Sequence, residues 1–390
     1  MKRLGRLLFA LSAALAIAAT PARAAVTTIA PYAVIMDFDT GAVLFEKDAD
    51  KPVGPSSMSK LMTVAIVFEK LKTGELKLTD EFSVSEKAWR EKQGSSMWVR
   101  VDTKIPLQDL LRGIIVQSGN DACIVVAENI SGTEEAFADL MTKKAREWGL
   151  KNSKFVNSTG LPDENQKMST RDLAIIARKI IRDYPDLYKL FAEREFTWEK
   201  IRQPNRNPLL SNFKGADGLK TGHTEDNGYG LVGSAIVNGE RRIIVVNGLS
   251  SDRERAVESE RLMRAAFNEF TKRTLYKPGD IAGDAQVFAG RATSVPLVTN
   301  EQISMILHRA DANSINAKVV YEGPVQAPVS EGQQIGYLKI SAGEGEAREF
   351  PLYAGANVKA VGLLGRIGLA VRYLIGGPPK TAGAAAVSAQ

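Results

Sequence analysis

Apolar and polar residues alternate through "YAVIMDFDTGAVLFEKDAD", which begins at Tyr32, and the turn signal Asp39-Thr40-Gly41 in its middle predicts a β-hairpin. The pattern then changes from a strand-like to a helical period. Apolar positions recur at helical spacing from Ser57 to about Leu71 and stop before Gly74, predicting a helix there. Further helices are predicted over 107–117, 122–130, 134–148 and 170–183. Strands return over 218–221, 229–237 and 242–249, and a last helix follows over 254–270. Strands at both ends with helices between them predict an α/β (α+β) unit spanning 25–275, with one mixed sheet and a helical cluster packed against it.

After "YKPGD" the chain reads as short strands separated by Gly and Pro: "DAQVFAG", "SVPLVT", "QISMILH", "NAKVVYE", "IGYLKI" and "REFPLYA". These predict a separate small all-β domain over 276–355. Residues 356–377 differ again. On a helical wheel Leu363, Leu364, Ile367, Val371, Leu374 and Ile375 share one face, with Lys359, Arg366 and Arg372 off it. Such a helix could pack on the β domain. Glycines 362, 365 and 368 weaken it in water, and its place near the chain end favours an interfacial anchor on a membrane surface. Residues 378–390 read as a disordered, Ala-rich tail.

The amino-terminal pattern changes how the charge is read. Lys2, Arg3 and Arg6 precede an apolar run from Leu7 to Ala19, followed by Ala22-Arg23-Ala24. This is the order of a secretory signal, expected to be removed as residues 1–24. The run is shorter than the ~20 residues needed to span a bilayer. Removal takes away four basic residues, lowering the formal net charge from +6 to about +2, so the basic pI is no argument for nucleic acid. The expected location is outside the cytoplasm, on the periplasmic face of an inner membrane. The single cysteine, Cys123, cannot form an internal disulfide and lies in the apolar run "ACIVVAE", where a buried hydrophobe is expected. Two histidines, His223 and His308, argue against a His-rich zinc site and leave few partners for a Ser-His-Asp triad. No metal or organic cofactor is expected, and any serine chemistry needs another base.

A candidate stands in "PSSMSKLMT". Lys60 lies three residues on from Ser57, so on a helix their side chains share a face. A lysine can take a serine proton only if burial or a neighbouring cation lowers its pKa. The same spacing also reads as a helix cap with a solvated lysine, and Ser211/Lys214 repeats it. Two further motifs raise its weight. "QSGNDA" sets Ser118 and Asn120 in a break between predicted helices. "GLKTGHT" sets Lys220, Thr221 and Gly222 on a strand, where Gly222 lets a substrate backbone approach. Each has a decoy, Ser314/Asn316 and Lys72-Thr73-Gly74. Only one combination runs in order with SxxK opening an apolar helix, SxN between helices and KTG on a strand.

With "SKLMT", "QSGNDA", "RNPLL" and "DGLKTGHT" in this order, the chain resembles the serine D-alanyl-D-alanine carboxypeptidases among the low-molecular-mass penicillin-binding proteins. The resemblance covers nearly the whole chain after the leader, including the β domain and terminal helix, and implies a DD-peptidase/β-lactamase-like catalytic fold. It implies that Ser57 is acylated by the penultimate D-Ala of a peptidoglycan stem peptide, and likewise by β-lactams. Lys60 would take the serine proton, and Ser118 would relay one to the leaving amine. Asn120 would hold a substrate amide. Lys220, Thr221, Gly222 and His223 would line the carboxylate end, with Lys220 also pushing down the pKa of Lys60. The oxyanion would meet the N–H groups of Ser57 and His223. Arg206 and Arg255, from "RNPLL" and "RERAVES", are further carboxylate candidates, each equally readable as a solvated surface charge. The loop "WREKQGSSMW" is either an active-site rim or a connector.

Three alternatives follow from the same residues. A class A β-lactamase needs a Glu-x-x-Leu-Asn segment between SxN and KTG, and "NSTGLPDENQKMSTRDL" has none. A DD-endopeptidase would use the same site. A non-catalytic cell-wall scaffold would not need a nucleophile and two convergent amines.

Overall fold

The computed structural model describes residues 26–91, 93–312, 314–342, 347–362, 367 and 385–387. The expected leader, and all of the expected terminal helix beyond Gly362 except Ile367, lie outside them.

The part expected to be catalytic is built on a five-stranded sheet. Its strands are β1 (Tyr32–Asp37), β2 (Val43–Lys47), β3 (Ala216–Thr224), β4 (Gly228–Val237) and β5 (Glu240–Leu249), in the order β2-β1-β5-β4-β3. Every pairing is antiparallel. The expected mixed sheet is thus corrected: tight turns join β1 to β2 and β3 through β5, and β1 closes antiparallel onto β5, leaving no parallel crossover.

Period-two patterning explains why β5 sits centrally. Ile243 and Val245 enter the core on one face, while Ile244 and Val246 enter a second core on the other. The first core packs against helices α1 (Lys60–Thr73), α2 (Leu107–Ile115), α3 (Asn120–Ser131), α4 (Glu134–Glu147) and α5 (Thr170–Asp183). The second is covered by α6 (Asp252–Asn268) through Leu262, Met263 and Ala266. Side-chain oxygens of Thr133, Ser169 and Ser251 cap α4, α5 and α6. Lys72-Thr73-Gly74, the KTG decoy, is the end of α1, where Gly74 takes φ +78° and donates to Leu71 O at 3.2 Å.

One charge cluster lies inside this layer. The Arg242 side chain, 1% exposed, donates to Asp37 Oδ1 at 2.7 Å and Glu240 Oε2 at 2.5 Å. Asp37 Oδ2 in turn accepts from Thr40 N and Oγ1, tying the hairpin turn down.

Beyond α6 the chain is β-rich around a core of its own that includes Val295, Leu297, Val319, Leu338 and Leu352. Strand Phe270–Tyr276 pairs with Ile303–His308, so residues 270–275, assigned by sequence to the catalytic part, hydrogen-bond into this second unit. Ala385–Val387, expected in a disordered tail, instead add as a short strand to Ile315–Tyr321. The reason is an outer strand edge with free N–H and C=O groups, which a small-residue segment can pair. Among the described residues no helix is long and apolar enough to cross a membrane.

Candidate active site

Ser57 lies in a 3-10 turn, Ser56–Ser59, that runs directly into α1. Lys60 is therefore the first α-helical residue, a correction to a helix opening at Ser57. The tighter turn keeps the (i, i+3) side chains nearly eclipsed. Lys60 Nζ sits 2.9 Å from Ser57 Oγ, 2.6 Å from Asn120 Oδ1 and 2.5 Å from Thr159 O. Lys60 is fully buried, while Ser57 is only half-buried and open to the groove.

Ser118 and Asn120 sit where α2 gives way to α3. Ser118 takes a left-handed φ of +61°, uncommon for a residue with a Cβ, which turns its hydroxyl to the groove. Lys220 Nζ on β3 donates to Ser118 Oγ at 2.9 Å and Thr221 O at 3.0 Å. β3 is an outer strand of the sheet, so one edge of it faces away from β4. Gly222 presses on the turn that holds Ser57: a Cβ there would fall 3.0 Å from Ser56 Cβ and 3.1 Å from Pro55 O. Thr221 is buried, and His223 is exposed with its ring stacked on Tyr229, centroids 3.9 Å apart.

Burial is the largest cause that lowers both amines. Lys60 falls to about 8. Next among the downward causes for Lys60 is Arg206. Lys220 is lowered well below its ordinary value by burial first and by the Lys60 cation second, and since repulsion between two cations is mutual each amine disfavours charge on the other. Burial raises the Cys123 thiol to about 12, so at neutral pH it is uncharged and lends no anion to stabilise the Lys60 ammonium. Cys123 is a buried hydrophobe, as its sequence context implied.

Arg206 and Arg255 each add to the lowering of Lys220 through their positive charge. Arg206 is exposed and donates to Ser95 Oγ. Arg255 is 6% exposed, bonded to Asp252, with its guanidinium 5.6 Å from the Tyr229 ring centre. The structure thus brings all ten sequence candidates to one region.

Sequence reasoning missed several supports. Thr159 reaches Lys60 through its carbonyl, which carries no side-chain signature. Its loop is held by Asn157 Oδ1, which accepts from Thr159 N, Thr159 Oγ1 and Gly160 N. Gly160 has φ +83°, and a Cβ there would fall 2.0 Å from Ser56 O. The Asn and Gly of "NSTG" were a readable turn signal. The loop "WREKQGSSMW" is a rim: the Asp121 carboxylate accepts from the N–H groups of Met97, Trp98 and Val99, and Asn120 Nδ2 donates to Gln93 O.

A buried lysine bonded to a serine hydroxyl, with a second lysine–serine pair across an edge strand, is equipped for acyl transfer. The D-alanyl-D-alanine carboxypeptidase family model matches residues 18–251, and that of the penicillin-binding protein 5 C-terminal domain matches residues 270–360. The chain belongs to the D-alanyl-D-alanine carboxypeptidase family. The carboxypeptidase is 37% identical over 341 residues to D-alanyl-D-alanine carboxypeptidase DacC of Escherichia coli, covering 86% of this chain and 85% of that one. It superposes on penicillin binding protein 5 from Haemophilus influenzae with a TM-score of 0.75 at 35% identity, over 86% of this chain and 99% of that one. A D-alanyl-D-alanine endopeptidase of Pseudomonas aeruginosa is 32% identical over only 53% of this chain and 67% of its own length. The enzyme is a serine-type DD-carboxypeptidase, a hydrolase of the low-molecular-mass penicillin-binding proteins.

Proposed function

We propose that Ser57 is the residue acylated by the penultimate D-Ala of a peptidoglycan stem peptide, and by β-lactams, with Lys60 as its base. The observation that carries this reading is the set of three oxygens around Lys60 Nζ. A neutral amine has two N–H groups and one lone pair. With Asn120 Oδ1 and Thr159 O taking the hydrogens, the lone pair is left for the Ser57 hydroxyl.

In the first step Ser57 Oγ bonds to the D-Ala carbonyl carbon while its proton passes to Lys60 Nζ. The carbonyl oxygen becomes an oxyanion, stabilised by the N–H groups of Ser57 and His223. Collapse breaks the C–N bond, and Ser118, hydrogen-bonded to Lys220, delivers a proton to the departing amine of the terminal D-Ala. Ser118 is reprotonated by the proton that Lys60 took from Ser57, which returns Lys60 to its neutral form. Water then attacks the ester, its proton going to Lys60 and from there to Ser57 Oγ as the C–O bond breaks, which releases the shortened peptide and restores both residues. Asn120 holds the substrate amide, and Lys220, Thr221, Gly222 and His223 receive the terminal carboxylate. Arg206 and Arg255 add positive potential at that end. The chain between Asn120 and Lys220 has no Glu-x-x-Leu-Asn element of the kind that serves deacylation in class A β-lactamases, which supports a stable β-lactam adduct over β-lactamase turnover.

The proposed layout is a leader over 1–24, a catalytic domain over 25–275, a β domain over 276–355, an anchor over 356–377 and a tail. Export to the periplasm and attachment to the inner-membrane surface rest on the amphipathic pattern and the leader pattern alone. The test of the site is mass spectrometry of the penicillin adduct together with D-Ala release from a pentapeptide. Labelling at Ser57, with both activities lost in Ser57→Ala, is expected; an adduct on another serine overturns the assignment.

A further inference from the structure

We propose that a ladder of side chains, Ser56, Thr224 and Asn227, positions the oxyanion hole by fixing the nucleophile's turn against the end of β3; this rests on the reading of Ser57 as nucleophile. Ser56 Oγ lies 3.1 Å from Thr224 Oγ1. Asn227 Nδ2 donates to Thr224 Oγ1 at 3.0 Å, and Asn227 Oδ1 accepts from Gly54 N at 3.2 Å. The Gly54 carbonyl in turn accepts from Asn247 Nδ2 on β5 at 3.2 Å. These bonds join segments about 170 residues apart, and the elements they join are those carrying Ser57 and the strand after KTG.

The contact geometry shows what the ladder controls. Gly222 and Thr224 share a face of β3, and both touch the turn, Gly222 by van der Waals contact and Thr224 by hydrogen bond. His223, between them, has its side chain on the opposite face. The spacing between the Ser57 N–H and the strand's outer-edge N–H is therefore set at two points flanking the second donor. Ser56 itself holds φ +50°, a left-handed conformation that a serine keeps only when its surroundings fix it. A Cβ on Gly54 would fall 2.3 Å from the Asn227 amide, so the amide lies flat on the backbone leading into the turn. Ser56, Thr224 and Asn227 are positioning residues: they touch the turn and the strand that carry the donors.

The test uses Asn227→Ala, Thr224→Val and the milder Asn227→Asp and Thr224→Ser. Four readouts are taken on the full chain: penicillin acylation rate, steady-state kinetics on the pentapeptide, the affinity of a peptide boronic acid whose tetrahedral adduct places an oxygen in the hole, and melting temperature. Asn227→Ala and Thr224→Val are expected to slow acylation about tenfold and to weaken the boronate in proportion, because small displacements of a donor are costly in the transition state. KM for the pentapeptide should stay within about twofold, while Thr224→Ser, which keeps the hydroxyl, should behave as wild type. Asn227→Asp keeps the acceptor for Gly54 and loses the donor to Thr224, so it should fall between and reports even if the alanine variant does not fold. A lower melting temperature with unchanged acylation and boronate affinity would make the ladder merely structural and overturn the proposal, as would a raised KM with unchanged kcat. Wild-type labelling away from Ser57 would instead defeat the underlying site reading.

Discussion

Buried cations are handled in opposite ways at two places in the catalytic part of this enzyme. Inside the sheet layer, Arg242 is paired with Asp37 and Glu240. In the groove, Lys60 and Lys220 are as deeply buried, yet the hydrogen bonds of both run to neutral oxygens: a hydroxyl, an amide and backbone carbonyls. A buried cation beside a carboxylate keeps its charge and locks a fold; a buried amine beside neutral dipoles is pushed toward its uncharged form. The first is architecture. The second leaves an amine able to accept a proton, and at about 8 Lys60 is neutral in about a tenth of molecules at pH 7.

Substitutions can break this comparison, beginning with the largest effect. Ser57→Ala should abolish both covalent penicillin labelling and D-Ala release, since the hydroxyl that the groove amine serves is gone. Lys60→Arg restores a cation that cannot lose its proton at working pH, and acylation should fall about a thousandfold or more, read by stopped-flow with a chromogenic β-lactam. A residual rate close to wild type would mean that Lys60 is not the base.

Asn120→Asp makes the groove imitate the inner pair by setting a carboxylate where Oδ1 lies 2.6 Å from Lys60 Nζ. The amine's pKa should rise by about one unit or more, so acylation near neutral pH should drop about tenfold and recover in alkali. The sign follows from the neutral fraction. In wild type the acylation rate should climb about tenfold per pH unit below about 8 and level off above it, and the variant's plateau should begin later. An unmoved profile would remove burial and neutral partners as the cause of tuning. Last, Arg242→Met leaves the Asp37 carboxylate buried without its guanidinium and should cost about 3–5 kcal/mol, seen in urea unfolding. The shape of the acylation pH profile should not move, because Arg242 is not among the groups that set Lys60.

Several parts of this molecule were legible in the chain because they depend on neighbours in sequence. The β1–β2 hairpin followed from alternation around Asp39-Thr40-Gly41, and the end of α1 from Gly74. Ser118 fell between helices, with Asn120 opening the second of them, and Lys220 fell on a strand, close to what the periodicity indicated. The all-antiparallel sheet was harder to read, since strand direction depends on how β1 meets β5, about 200 residues away. The 3-10 turn at Ser57 was hidden because the (i, i+3) spacing is common to both helix types.

The groups that tune the site divide in the same way. The sequence alone determined which side chains were available: one hydroxyl and one amine three residues apart, a second such pair in later motifs, and too few histidines for another base. Only the tertiary structure decided that Thr159 would offer a carbonyl, that Arg206 and Lys220 would lie close enough to disfavour charge around Lys60, and that the turn holding Ser57 would be tied to β3 through Ser56, Thr224 and Asn227. Side-chain chemistry is written residue by residue, whereas desolvation, backbone carbonyl direction and the distance between remote charges exist only once the chain has closed on itself.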